Sequence, residues 1–134
     1  MVETVRFDRA TRCAVPFRLT SIPAGMAVRQ CSVSLTRQAL RPRLEYAGLW
    51  VGDDERYAWF DVKPYDTPPK WKANTTVGAY RVLHAQQTWL FTDKPYVALL
   101  STEGGGNGPI PDSAVRTLIA GFESVGGPDR PATW

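Results

Sequence analysis

The sequence predicts an α+β fold: an antiparallel sheet of about five to seven strands, with one C-terminal amphipathic helix packed on one face. Three observations predict it. Apolar and polar residues alternate at strand spacing through much of residues 15–102. Turn-forming residues break that alternation at short intervals. Near the C-terminus, Val115, Leu118, Ile119 and Phe122 switch to the spacing of a helix face.

Taken in order, residues 5–9 read as a short edge strand. Two strands then flank the turn Ile22-Pro23-Ala24-Gly25. On the first arm Cys13, Val15, Phe17 and Leu19 share a parity, and on the second so do Cys31, Val33 and Leu35. Strand side chains alternate between faces, so the two cysteines fall on the apolar face of a hairpin. A disulfide between Cys13 and Cys31 is the favoured expectation, stapling the hairpin near its open end. Two buried free thiols are the alternative. Arg37 to Arg43 reads as a connection because Pro42 bars a long helix there.

Residues 44–63 read as a hairpin around Gly52-Asp53-Asp54-Glu55-Arg56, its first strand apolar on both faces. Pro64, Pro68 and Pro69 then forbid regular structure, so residues 63–74 form a long loop. Further strands are expected at 77–84, 87–92 and 95–102. The helix is expected over 113–124, capped by Asp112 or Ser113 and stopped by Gly126-Gly127.

Size and composition make this one domain over residues 1–134, large enough to bury a core. Hydrophobic residues are 43% and aromatics 11%, which argues for a folded chain rather than a disordered one. No apolar run approaches the ~18 residues that a membrane-crossing helix needs. The N-terminus, MVETVRFDRATRC, has mixed charge and no apolar leader. If the cysteines are oxidised, an export signal or membrane anchor is expected upstream in a longer native protein. Any contact with a membrane would run through that anchor.

Charge is uneven. Residues 1–43 carry eight arginines against Glu3 and Asp8, whereas the remainder carries eight bases against eleven acids. The arginines are spread along several elements and not run together. A solvated surface is expected rather than an anion site, and no nucleic-acid partner.

The catalytic inventory is thin and argues against an enzyme. His84 is the one histidine, which excludes zinc sites built on two or three histidines. No metal and no cofactor is expected. His84 lies on an expected strand and is a possible polar site, with a hydrogen-bonded structural role favoured over a general base. There is no nucleophile elbow and no phosphate-binding loop; Gly104–Gly108 lacks the Lys-Ser/Thr that grips phosphate. Asp61 and Asp66 are the carboxylates that a glycosidase reading would need to bring together.

The binding candidate is Lys70-Trp71-Lys72. A tryptophan between two lysines, after Pro68-Pro69, offers a flat aromatic face and two cations on a stiffened stem. The alternative is that Trp71 closes on the core as a lid, with the lysines reaching outward.

Residues 19–25 (LTSIPAG) at a turn, the run of strands, and a closing amphipathic helix followed by PDRPATW (128–134) carry a resemblance. The chain resembles extracytoplasmic domains of uncharacterised actinobacterial membrane-anchored proteins, of the anti-sigma-factor-like and Gram-positive sensor or lipoprotein type. That resemblance implies an extracytoplasmic, non-catalytic binding or sensing domain, with a protein or cell-envelope ligand as partner, and transfers no catalytic residue. A small hydrolase, or a carrier of lipid or another small ligand in a pocket between sheet and helix, is the competing class. A filled core favours the first, and a deep apolar pocket converging on His84 favours the second.

Overall fold

Alternation sorts the side chains of a strand onto two faces, and the pairing register decides which face is covered. The computed structural model describes residues 2–6, 14–38, 41–104, 110–131 and 134. Cys13 lies outside the described residues, as do residues 7–9 of the expected first strand.

The described elements are β1 (Val2–Arg6), β2 (Phe17–Leu19), β3 (Ala27–Gln38), β4 (Arg41–Gly52), β5 (Arg56–Pro64), β6 (Thr75–Val77), β7 (Tyr80–Ala85), β8 (Thr88–Asp93), β9 (Tyr96–Gly104), α1 (Asp112–Ala120) and β10 (Phe122–Ser124). Eight strands run side by side in the order β1-β3-β4-β5-β9-β8-β7-β6. Every neighbouring pair is antiparallel. Two meanders, β3–β5 and β6–β9, meet where β5 pairs β9. The α+β class and the C-terminal helix are as the sequence predicts, with more strands than expected.

The expected hairpin around Ile22 does not form. Both edges of β3 are already taken, one by β1 and the other by β4. β2 instead pairs β10 in a separate two-stranded ladder, Phe17 opposite Ser124 and Leu19 opposite Phe122. The parity was nonetheless sound, because Phe17, Cys31 and Val33 are all buried. The connection expected over Arg37–Arg43 is mostly strand: β3 runs to Gln38, β4 starts at Arg41, and Arg37 faces Pro42.

A bulge at Glu45 puts Leu44 on the same face as the odd-numbered residues that follow it in β4. Ser34 pairs Tyr46 but Leu35 pairs Leu44, so one residue of β4 is unmatched. Leu44, Ala47, Leu49 and Val51 therefore face the core, and Tyr46, Gly48 and Trp50 the other side. Ala58, Phe60 and Val62 of β5, Tyr96, Ala98 and Leu100 of β9, and Trp89 and Phe91 of β8 complete the covered face, all at most 1% exposed.

The cover is α1 with the β2–β10 ladder. Val115, Leu118 and Ile119 are buried from the helix. The helix stops at Ala120, with Gly121 as its C-cap, and not at residue 124. Phe122 fits the helical spacing yet reaches the core from a strand, because extended backbone there is held by pairing to β2. Its ring lies 5.0 Å from Phe17, 5.6 Å from Phe60 and 5.1 Å from Phe91. Neither Asp112 nor Ser113 caps the helix: Pro111 occupies the N-cap without a side-chain bond, and Asp112 sits in the first turn. After β10 the chain returns across the sheet, where Tyr96 Oη donates to Gly126 O (2.9 Å) and Leu44 N to Pro128 O (2.7 Å).

Candidate functional site

The loop after β5 has to cross the sheet, and this crossing builds a cavity. β5 is central whereas β6 is at the far edge, four strand spacings away. That span is roughly 19 Å, and residues 65–74 can extend to roughly 33 Å. The loop therefore has length to spare and bows away from the strand ends. Both of its ends are tied. Tyr65 N donates to Pro95 O at 2.9 Å. At the other end Asn74 Nδ2 donates to His84 O, and His84 N donates to Asn74 Oδ1, each at 2.8 Å.

Between the bowed loop and the ends of β7 and β8 lies a cavity of about 550 Å³. Tyr65, Pro69, Trp71, Lys72, Arg81 and Thr92 are among its walls, and no acid lines it. Trp71 is half-buried there and is not among the side chains packed on the main core, so it does not form the lid that the sequence left open. Its indole N–H is buried with no hydrogen-bond partner. An unpartnered buried donor costs about 1–3 kcal/mol, which an acceptor reaching it would recover. Lys70 is exposed and outside the lining, so the structure brings Trp71 and Lys72 to the cavity together with Arg81, which the sequence reading missed.

Four arginines elsewhere in the chain are ion-paired. Arg18 pairs Glu123, Arg29 pairs Asp54, Arg43 pairs Asp66 and Arg56 pairs Asp53. Among the described residues, Lys72 and Arg81 have no such pair. Of the eight N-terminal arginines, the three whose side chains are described, Arg18, Arg29 and Arg43, are ion-paired at the surface.

His84 is held between an aromatic ring and a backbone carbonyl. Its ring stacks on Trp89 at 3.5 Å and 11°. Nε2 lies 2.9 Å from Gln86 O; a carbonyl only accepts, so Nε2 carries the proton. Arg116 lies 5.5 Å from the centroid of the Trp89 ring. Asp61 and Asp66 are not brought together as a catalytic pair: Asp66 binds Arg43 on the loop, and Asp61 projects from the open face of the sheet. No group of three or more His, Cys, Asp or Glu that could hold a metal occurs among the described residues. The side chains beneath α1 are packed, and neither described cavity is lined by α1 or by His84.

Aromatic side chains also gather on the face of the sheet opposite α1. Trp50 and Trp59 are directly opposed on β4 and β5, their rings stacked at 5.4 Å and 22°. Tyr57 stacks on Trp50 at 5.1 Å. Trp50 is 39% exposed, so this stack reaches solvent. Comparison of the chain with family models, with curated proteins and with solved structures gives no match.

Proposed function

We propose that this chain is a non-catalytic binding domain whose ligand enters the cavity beneath loop 65–74. The observation that carries the reading is the wall itself. An aromatic ring with an unsatisfied N–H stands beside two cations that no acid neutralises. That chemistry suits an anionic ligand with a ring to lay against Trp71, such as a carboxylated or phosphorylated sugar of the cell envelope. A carrier function between sheet and helix has no support from the described cavities.

An extracytoplasmic location, with an anchor preceding this segment, belongs to the same proposal. It is supported by the resemblance noted above. Cys31 is wholly buried, and no free cysteine occurs among the described residues. Pairing of Cys31 with Cys13 would place folding in an oxidising compartment. No described helix is long and apolar enough to cross a membrane.

Calorimetric titration with hexuronic-acid oligomers, against neutral hexose oligomers of equal length, tests the ligand class. The acidic oligomers should bind and the neutral ones bind at least about tenfold more weakly, with affinity falling as salt rises. Lys72→Gln and Arg81→Gln should each weaken binding and flatten the salt dependence. Trp71→Ala should abolish binding at an unchanged melting temperature, since Trp71 is not packed on the main core. Equal binding of acidic and neutral oligomers, or full binding by Trp71→Ala, would overturn the proposal.

A further inference from the structure

The pairing registers draw one row straight across the uncovered face of the sheet. Ser32 of β3 faces Gly48 of β4, Gly48 faces Asp61 of β5, and Asp61 faces Leu99 of β9. Leu99 in turn faces Leu90 of β8, and Leu90 faces Leu83 of β7. One carboxylate therefore sits at the end of an apolar row. On its β4 side Gly48 is buried beneath Ser32, whose Oγ would lie 2.9 Å from a Cβ at that position. Tyr46 and Trp50, two residues either way along β4, share this face.

Beside this row is a groove of about 390 Å³ lined by Tyr46, Asp61, Lys63, Leu90, Val97 and Leu99. Its walls are chiefly aliphatic and aromatic. Asp61 is half-buried there. Among the described residues its carboxylate makes no hydrogen bond and no ion pair, although four other acids of the chain are paired. Lys63 is exposed at the groove and is not within ion-pair distance of Asp61. Burial pushes the Asp61 carboxyl above the usual carboxylate range, against a smaller opposing effect of Lys63. An unpaired, half-buried carboxylate costs stability, and nothing in the packing of the sheet requires it.

We propose that this groove binds an amine with a compact apolar body, its ammonium received by Asp61 and its hydrocarbon laid on Leu90, Val97 and Leu99. The carboxylate gives the one strong polar contact, and charge-assisted bonds are roughly twice as strong as neutral ones. The rest of the groove offers apolar area and sets the shape, as in small-ligand sites generally. Lys63, a like charge, weakens the contact and is partly screened by solvent. This site is separate from the loop cavity in position and in charge, so each can fail without the other.

The test is an NMR titration of the whole domain with phenethylamine, against phenethyl alcohol and 3-phenylpropionate as neutral and anionic partners of similar shape. Amide shifts should concentrate at Gly48, Asp61, Leu90 and Leu99. The amine should bind at least about tenfold more tightly than the alcohol, and the acid more weakly than both. Asp61→Asn should erase the preference for amine over alcohol while keeping a melting temperature at or above the parent's. Lys63→Gln should tighten amine binding. Equal affinities for amine and alcohol in the parent, shifts confined to other residues, or weaker amine binding in Lys63→Gln would each overturn the proposal.

Discussion

Substituting alanine for Gly121 separates two accounts of the C-terminal segment by the sign of the effect. If the helix continued through residue 124, as its apolar spacing suggests, Gly121 would be an interior glycine. Alanine would then stabilise the domain by about 0.5–1 kcal/mol. The structure predicts the reverse. A Cβ on Gly121 would stand 2.7 Å from Ser21 N, 3.1 Å from Ser21 Cβ and 3.2 Å from Thr20 Oγ1. The closest of these is backbone, so no side chain can swing aside to make room. β2 must move off β10, which strains the bonds that Thr20 N and Thr20 Oγ1 donate to Gly121 O at 2.8 and 3.0 Å. Overpacking of this kind costs about 1–3 kcal/mol. The midpoint of urea unfolding, followed by tryptophan fluorescence, should fall without a change in slope. A variant as stable as the parent, or more so, would refute the strand assignment at 122–124 and the glycine-mediated contact with it.

Two further outcomes concern ionisation and oxidation. The Asp61 pKa is raised on folding, so its favourable contribution is full below the unfolded value, near 3.8, and is lost as pH rises through the folded value. Asp61→Asn should therefore melt above the parent at pH 7 and lose that advantage near pH 3.5, which melting curves at the two pH values would show; an unchanged difference would argue against the desolvated carboxylate. Intact-mass measurement of protein folded under oxidising conditions should give a mass about 2 Da below that of the reduced chain, one hydrogen lost from each of Cys13 and Cys31, and two alkylatable thiols would refute the pairing.

Local pattern made part of this fold legible. Parity alone placed Phe17, Cys31, Val33, Ala58, Phe60 and Val62 on buried faces, because alternation does not depend on which strand is the neighbour. The hairpin of β4 and β5 was legible for a similar reason: its turn, closed by Asp53 Oδ1 accepting from Glu55 N and Arg56 N, is written in five consecutive residues. What failed was partner choice. Residues 17–19 and 31–35 looked like two arms of one hairpin, and the loss of β3's edges to β1 and β4 is a property of the sheet, not of either segment. The helix end failed likewise, since the backbone of Phe122 is set by β2, about a hundred residues earlier in the chain.

The two cavities differ in how far the sequence could reveal them, for a physical reason. Trp71 and Lys72 are adjacent in a loop whose prolines already exclude regular structure, so composition pointed at them before any packing was known. Arg81 reaches the same cavity only because the loop must cross from β5 to the outer edge, a consequence of strand order. The Asp61 groove is more remote from pattern. Its carboxylate, its leucines and its tyrosine come from β5, β9, β8 and β4, and each alone looks like an ordinary alternating strand position. One apolar face against α1 would suffice to hold this sheet, yet Trp50, Trp59, Leu90 and Leu99 stand on the second face among polar residues such as Ser32, Lys63 and Ser101. A sheet that needed only one buried face would be expected to carry polar residues on the other. The patch of Leu90, Val97 and Leu99 beside the unpaired Asp61 is the part of that face which the proposed amine site would account for.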